Sequence, residues 1–324
     1  MIQGTSISKS TDDLLAQPAS SHGRNSAKPD VSFEHPPALP APVFRIAIPG
    51  GANQDTMIFA GNCLAEEVGK GIRRLAAVST NFEIHIWLLH LEPNPSPQMV
   101  ELLKRAKHVF IQQISHVHNL KISELVSSEC KLHRLPNLSM LGLWPFDSKH
   151  YRPDKAVDAD TERVFINGDG MLAQLRELIP DKFERFEAYR NLEIPGLAPG
   201  LGIKRRMEIQ VERLLNADAA IGCSIGKFLV ETYQERPVFY DCTHATGEVY
   251  QKLCEYCLDA IGVTEDCSLI AGLDRYKRWS VPVQPGVARR LGVKWALDRT
   301  TYQYGILGEI NWRNYVMTYI DRYG

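Results

Sequence analysis

The chain has 324 residues, 44% of them hydrophobic, and its 37 Lys and Arg against 38 Asp and Glu leave a net charge of −1. That balance excludes a global electrostatic pull toward nucleic acid or an anionic membrane, and the length allows one large or two modest cores. No run of about 18 apolar residues is present to span a bilayer, and the seven cysteines, odd in number, read as reduced thiols; a cytoplasmic protein is expected.

Residues 1–42 are rich in Ser, Pro, Ala and Asp and close on the proline run HPPALPAPV, so they read as a disordered leader. FRIAIPG and TMIFAG follow as short apolar runs. A helix is expected from Cys63 to about Ala77, because Leu64, Val68, Ile72 and Leu75 recur at helical spacing. FEIHIWLLH reads as a strand, SPQMVELLKRA as a helix and KHVFIQQIS as a strand, a β-α-β rhythm that implies a mostly parallel sheet with flanking helices. Short strands are expected around NLSMLGLW. Residues from about 168 to 233 turn helical and form an insertion; RPVFYD then reads as a returning strand, and the next helix carries Val249, Leu253, Tyr256 and Ala260 on one stripe. The expected organisation is an α/β domain over 43–265 and a C-terminal extension over 266–324, packed on the same domain. No internal repeat is visible.

The Gly61-Asn62-Cys63 turn stands where a strand hands over to a helix. In an open α/β sheet reactive groups collect at such handovers, and a helix N-terminus favours negative charge on a sulfur. Gly61 permits a tight turn, while Asn62 serves either as a helix cap or as a donor to an oxyanion. A cysteine nucleophile needs a base brought in by the fold. Two strand ends offer one: IQQISHVHN, with Gln112, Gln113, Ser115, His116, His118 and Asn119, and VFYDCTHATG, with Asp241, Cys242, Thr243 and His244. His244 and His118 are the leading candidates, and Asn119 or Gln113 the orienting or oxyanion group. Cys242, His244, Cys254 and Cys257 are zinc-binding residue types, yet a one-residue gap is too short for a zinc knuckle and two of them fall within a helix, so no metal is expected. Lys204, Arg205 and Arg206 open a helix after a Gly/Pro loop and suit a phosphate; Arg275, Lys277 and Arg278 form a second basic group. Neither a P-loop nor a dinucleotide-binding glycine motif occurs.

The segments FAGNCLAEEVGKGI, FIQQISHVHN and RPVFYDCTHATGEVYQKLCEYCLDAIG, in this order and spacing, resemble the WcbI-type polysaccharide biosynthesis proteins over roughly residues 44–265. The resemblance implies O-acetylation of a sugar in a capsular or other surface polysaccharide, with acetyl-coenzyme A as donor and Cys63 beside the thioester. Lys204, Arg205 and Arg206 would then hold the cofactor phosphates. The layout is also similar to SGNH-type esterases, which leaves a carbohydrate esterase as the rival enzyme and an accessory protein of polysaccharide assembly as the non-catalytic reading.

Overall fold

The computed structural model describes residues 54–114, 121–148, 165, 167–192 and 202–323. Four parallel strands form its sheet: β1 (Asp55–Gly61), β2 (Phe82–Leu88), β3 (Ala106–Gln112) and β4 (Lys131–Leu135), in the order β2-β1-β3-β4. Met57, Ile58, Phe59 and Ala60 of β1 are fully buried, as a central parallel strand covered on both faces requires. Met57 and Phe59 point into the larger core, shared with Leu64, Val68 and Ile72 of α1 (Cys63–Ile72); Ile58 and Ala60 point into a smaller one, shared with Met99, Leu102 and Leu103 of α3 (Pro97–Arg105). Between α1 and β2 lies the short α2 (Ala76–Ser79), and α4 (Ile122–Leu125) precedes β4.

The chain leaves β1 toward β2 on one side and returns on the other as β3, so the order reverses beside β1. A crevice opens beyond the carboxyl ends of strands at such a reversal. The two strand ends that border it are Gly61 and Gln112.

The helical stretch contains α5 (Gly170–Leu178), α6 (Lys182–Asn191), α7 (Ile203–Ile221) and α8 (Ile225–Thr232). α9 (Gly247–Ile261) packs on α1 through Val249, Leu253, Cys254 and Cys257, all fully buried, whereas the expected stripe residues Tyr256 and Ala260 are half-buried. The C-terminal segment folds as α10 (Ser268–Ala271), α11 (Pro285–Leu291), an antiparallel pair β5 (Thr301–Gln303) and β6 (Glu309–Asn311), and α12 (Trp312–Tyr323). Its Val287, Tyr304, Trp312 and Val316 belong to the larger core.

Three expected elements differ. The helix from Cys63 stops at Ile72 and resumes only as α2, with Leu75 extended between them. RPVFYD is not a strand of the sheet: Val238 and Phe239 are buried, but a single bridge from Phe239 to Ala245 is its only β pairing. NLSMLGLW is likewise a loop whose Leu138, Met140 and Leu143 enter the core, and the strand lies earlier, at β4. FRIAIPG, the leader over 1–42, His116, His118 and Asn119 lie outside the described residues.

Candidate active site

Asn62 caps α1: its Oδ1 accepts from the Leu64 amide at 2.9 Å, and Cys63 becomes the first helical residue. The Asn62 amide in turn donates to Gln112 Oε1 at 2.8 Å, which ties the turn after β1 to the end of β3 across the crevice. Gly61 is required here by space and not by a left-handed backbone. A Cβ on it would stand 2.5 Å from Gln112 Oε1 and 2.7 Å from the Ala65 Cβ, both inside contact distance.

Asp241 builds the second half of the site. Its Oδ1 accepts the amides of Thr243 at 2.7 Å and His244 at 2.8 Å, a side-chain turn that folds the loop back on itself. Its Oδ2 accepts from His244 Nδ1 at 2.6 Å. With Nδ1 engaged, Nε2 is free to face the Cys63 side chain, which lies close enough to the ring to raise its pKa. Cys63, His244 and Asp241 therefore gather into one group, the ring bonded to a carboxylate only 2% exposed and the sulfur at the helix start near enough to influence it. Tyr276 covers the imidazole, its ring stacked 4.0 Å away between centroids.

The electrostatics favour a charged imidazole. Burial opposes the cation, but the hydrogen bonds to Asp241 and Cys63 and the charges they carry outweigh it and raise the His244 pKa to about 9. For Asp241, burial pushes upward and is overcome by its bonds to His244 and Thr243, which hold the carboxyl below its ordinary range. At neutral pH the ring is an imidazolium facing both a carboxylate and a sulfur. Such an arrangement holds a proton beside a sulfur.

Of the residues singled out in the sequence, the fold joins Cys63, Asn62, Gly61 and His244. The Gln113 backbone N–H donates to the Leu135 carbonyl at 2.9 Å, and it is its neighbour Gln112 that supplies the side chain reaching the turn. The orienting contact on His244 comes from Asp241, a member of the polar cluster to which the sequence alone assigned no role. An Asp three residues before a His, with both backbone amides in reach of its carboxylate, is the local signal that identifies it. Tyr276 carried no such signal, because its place over the ring is set entirely by the C-terminal segment.

Lys204, Arg205 and Arg206 open α7, where Arg205 pairs with Glu208 and Arg206 donates to the Pro145 carbonyl at 2.8 Å. Arg275, of the other basic group, pairs with Glu67 at 2.9 Å. It helps line a cavity of about 500 Å³ along α1, with Glu67, Lys70, Arg74, Tyr250 and Asp274. Glu67, at one end of this cavity, stands one helical turn after Cys63 on α1. Cys242, Cys254 and Cys257 are buried, and burial raises the pKa of each thiol; Cys242 hydrogen-bonds Asp147. No group of three or more His, Cys, Asp or Glu placed to hold a metal occurs among the described residues, and none of their helices is long and apolar enough to cross a membrane.

A parallel sheet flanked by helices, with a cysteine, an imidazole and a carboxylate gathered at its reversal point, defines an α/β protein with a candidate site at its switch point. The chain belongs to the WcbI family of polysaccharide biosynthesis enzymes, whose family model matches residues 56–266 and so contains Cys63, Asp241 and His244. A solved structure of WcbI, described as a novel polysaccharide biosynthesis enzyme, is similar in fold with a TM-score of 0.58 at 12% identity, over 83% of this chain and 89% of that one. That structure is of the native protein without a disulfide bond between coenzyme A and one of its cysteines. No curated protein matches the sequence.

Proposed function

We propose that the protein is an acetyl-coenzyme A-dependent O-acetyltransferase acting on a sugar of a surface polysaccharide, with Cys63 as nucleophile. The observation that carries this reading is the Cys63–His244–Asp241 line. That the solved WcbI structure is described with reference to coenzyme A and a cysteine, though without a disulfide between them, is compatible with it.

The chemistry follows from the proton held on His244. The Cys63 thiolate attacks the acetyl thioester carbonyl, a sulfur–carbon bond forms, and the coenzyme A sulfur leaves and takes the proton from the imidazolium. His244 is then neutral and able to act as base. It takes the proton of an acceptor hydroxyl as that oxygen attacks the acetyl-cysteine, and departure of the Cys63 thiolate restores the starting pair. Asp241 holds the ring with Nδ1 protonated throughout, as the carboxylate of a catalytic triad does. Asn62 Nδ2 is the donor that the turn leaves over for the oxyanion, since Asn62 Oδ1 caps the helix and its amide is bound to Gln112. Direct transfer is less favoured, because a histidine with a pKa of about 9 is largely protonated when the sugar hydroxyl needs a base.

Two basic groups compete for the cofactor phosphates. The cavity along α1 is lined from Glu67, one turn after Cys63, to Arg74 just beyond the helix end, so an extended pantetheine arm leaving the sulfur could follow the helix into it. We place the phosphates at its Arg74 end; Lys204, Arg205 and Arg206 on α7 are the alternative. Calorimetry with coenzyme A tests the reading, and absence of binding at millimolar concentration would sink it. Acetyl transfer by Cys63→Ala at the wild-type rate would remove the nucleophile.

A further inference from the structure

A second cavity, of about 270 Å³, is walled in part by residues that adjoin Asp241 and Tyr276 in the chain. Tyr240 lines it immediately before Asp241, and Lys277 lines it immediately after Tyr276, the ring that covers His244. The segments are bonded to each other: the Val281 amide donates to the Tyr240 carbonyl at 2.7 Å, and the Tyr240 amide to the His244 carbonyl at 2.8 Å.

The walls have a definite chemistry. Trp144, Phe239 and Tyr302 form a buried aromatic floor, with Tyr240 and Trp295 half-buried at the sides. Lys277, Thr301 and Gln303 stand exposed at the mouth. The ring edges are held in place: Trp144 Nε1 donates to the Val281 carbonyl at 3.0 Å and Trp295 Nε1 to the Tyr233 carbonyl at 2.8 Å, so the polar edges of both indoles are already satisfied. A pocket with aromatic walls and a polar rim fits a ligand that is apolar on one face and rich in hydroxyls at its edge. At about 30 Å³ per water in the liquid, 270 Å³ is the space of roughly nine waters, which suits a single sugar ring and not a chain of them.

We propose that this cavity is the acceptor subsite and takes one hexopyranose ring, its C–H face against the aromatic walls and its hydroxyls at the Gln303 and Lys277 rim. The assignment rests on the transferase reading, because that reading is what requires a sugar next to His244. A purely aliphatic occupant, such as an acyl chain, would leave the polar mouth unused.

The test uses the full-length protein and the fluorescence of Trp144 and Trp295, titrated with a panel of methyl hexopyranosides and, separately, with hexanoate. Saturable quenching by at least one glycoside is expected, weakened about tenfold in Trp295→Leu and about threefold in Gln303→Ala. The latter changes only an exposed side chain and so keeps the test valid if Trp295→Leu fails to fold. No saturation by any glycoside up to about 100 mM, saturation by hexanoate alone, or glycoside binding unchanged in Gln303→Ala and in a folded Trp295→Leu would each overturn the assignment. Acetylation of Cys63 on mixing with acetyl-coenzyme A, with free coenzyme A released, followed by intact mass in the same preparations, separates the two claims. An adduct without glycoside binding removes the subsite and leaves the transferase reading; glycoside binding without an adduct does the reverse.

Discussion

Replacing Asp241 by Asn should discharge His244 while keeping the loop folded. The asparagine Oδ1 still accepts from the Thr243 and His244 amides, now made at 2.7 and 2.8 Å, so the side-chain turn survives. At the other atom a carboxylate oxygen 2.6 Å from Nδ1 becomes an NH₂ group, which needs a lone pair on the ring, and an imidazolium has none. With burial left as the leading influence, the pKa should fall from about 9 to 6.5 or below, a loss of about 3 kcal/mol of preference for the charged ring at 1.36 kcal/mol per unit. At pH 7.5 the imidazolium population would drop from about 97% to about 9% or less. Carbon-detected or heteronuclear NMR of the imidazole gives the titration directly, with circular dichroism as the check on folding. Release of coenzyme A from acetyl-coenzyme A should slow by on the order of 10², the size of a lost proton donor. A His244 titration that stays near 9 in Asp241→Asn would refute the account of what charges the ring.

Other consequences follow from single contacts. Gly61→Ala should destabilise the fold by about 1–3 kcal/mol in denaturant unfolding, because its Cβ collides with Gln112 Oε1 and Ala65; an unchanged midpoint would contradict the packing. Arg74→Glu should weaken coenzyme A binding about tenfold by calorimetry, with Arg205→Glu near wild type; the opposite order would move the phosphates to α7. His108, whose pKa burial and the nearby His133, Lys131 and Lys107 charges lower to about 4, binds its proton less tightly folded than unfolded. Its contribution is complete above about pH 6.5 and is lost as pH falls toward 4, by up to about 3 kcal/mol, so unfolding free energies of wild type and His108→Gln should converge on acidification.

The β1–α1 handover was legible because a short apolar run meets a helical pattern at Cys63, and that run is continuous because both faces of β1 are buried. The reversal of strand order, which sets Gln112 beside that turn, is a matter of topology that no local pattern carries. RPVFYD read as a strand because Val238 and Phe239 are apolar and β-prone, yet they are buried in a loop, where core packing replaces a ladder partner. NLSMLGLW misled for the same reason. His244 could be found from its place after an apolar run, but its partner Asp241 becomes an orienting group only when the loop closes through its own side chain. The acceptor cavity joins residues 144, 240 and 302, separations over which sequence periodicity says nothing.

The central claim is that the Cys63 sulfur accepts the acyl group with a proton supplied by His244. Intact-mass and peptide mass spectrometry after mixing with acetyl-coenzyme A in the absence of acceptor tests it most directly. One acetyl group should appear per chain, on the peptide holding Cys63, absent in Cys63→Ala and formed at a rate lower by at least about 10² in His244→Ala. Transfer to an acceptor with no acetyl-Cys63 at any time during turnover, or full acetylation of Cys63 at the wild-type rate in His244→Ala, would contradict it.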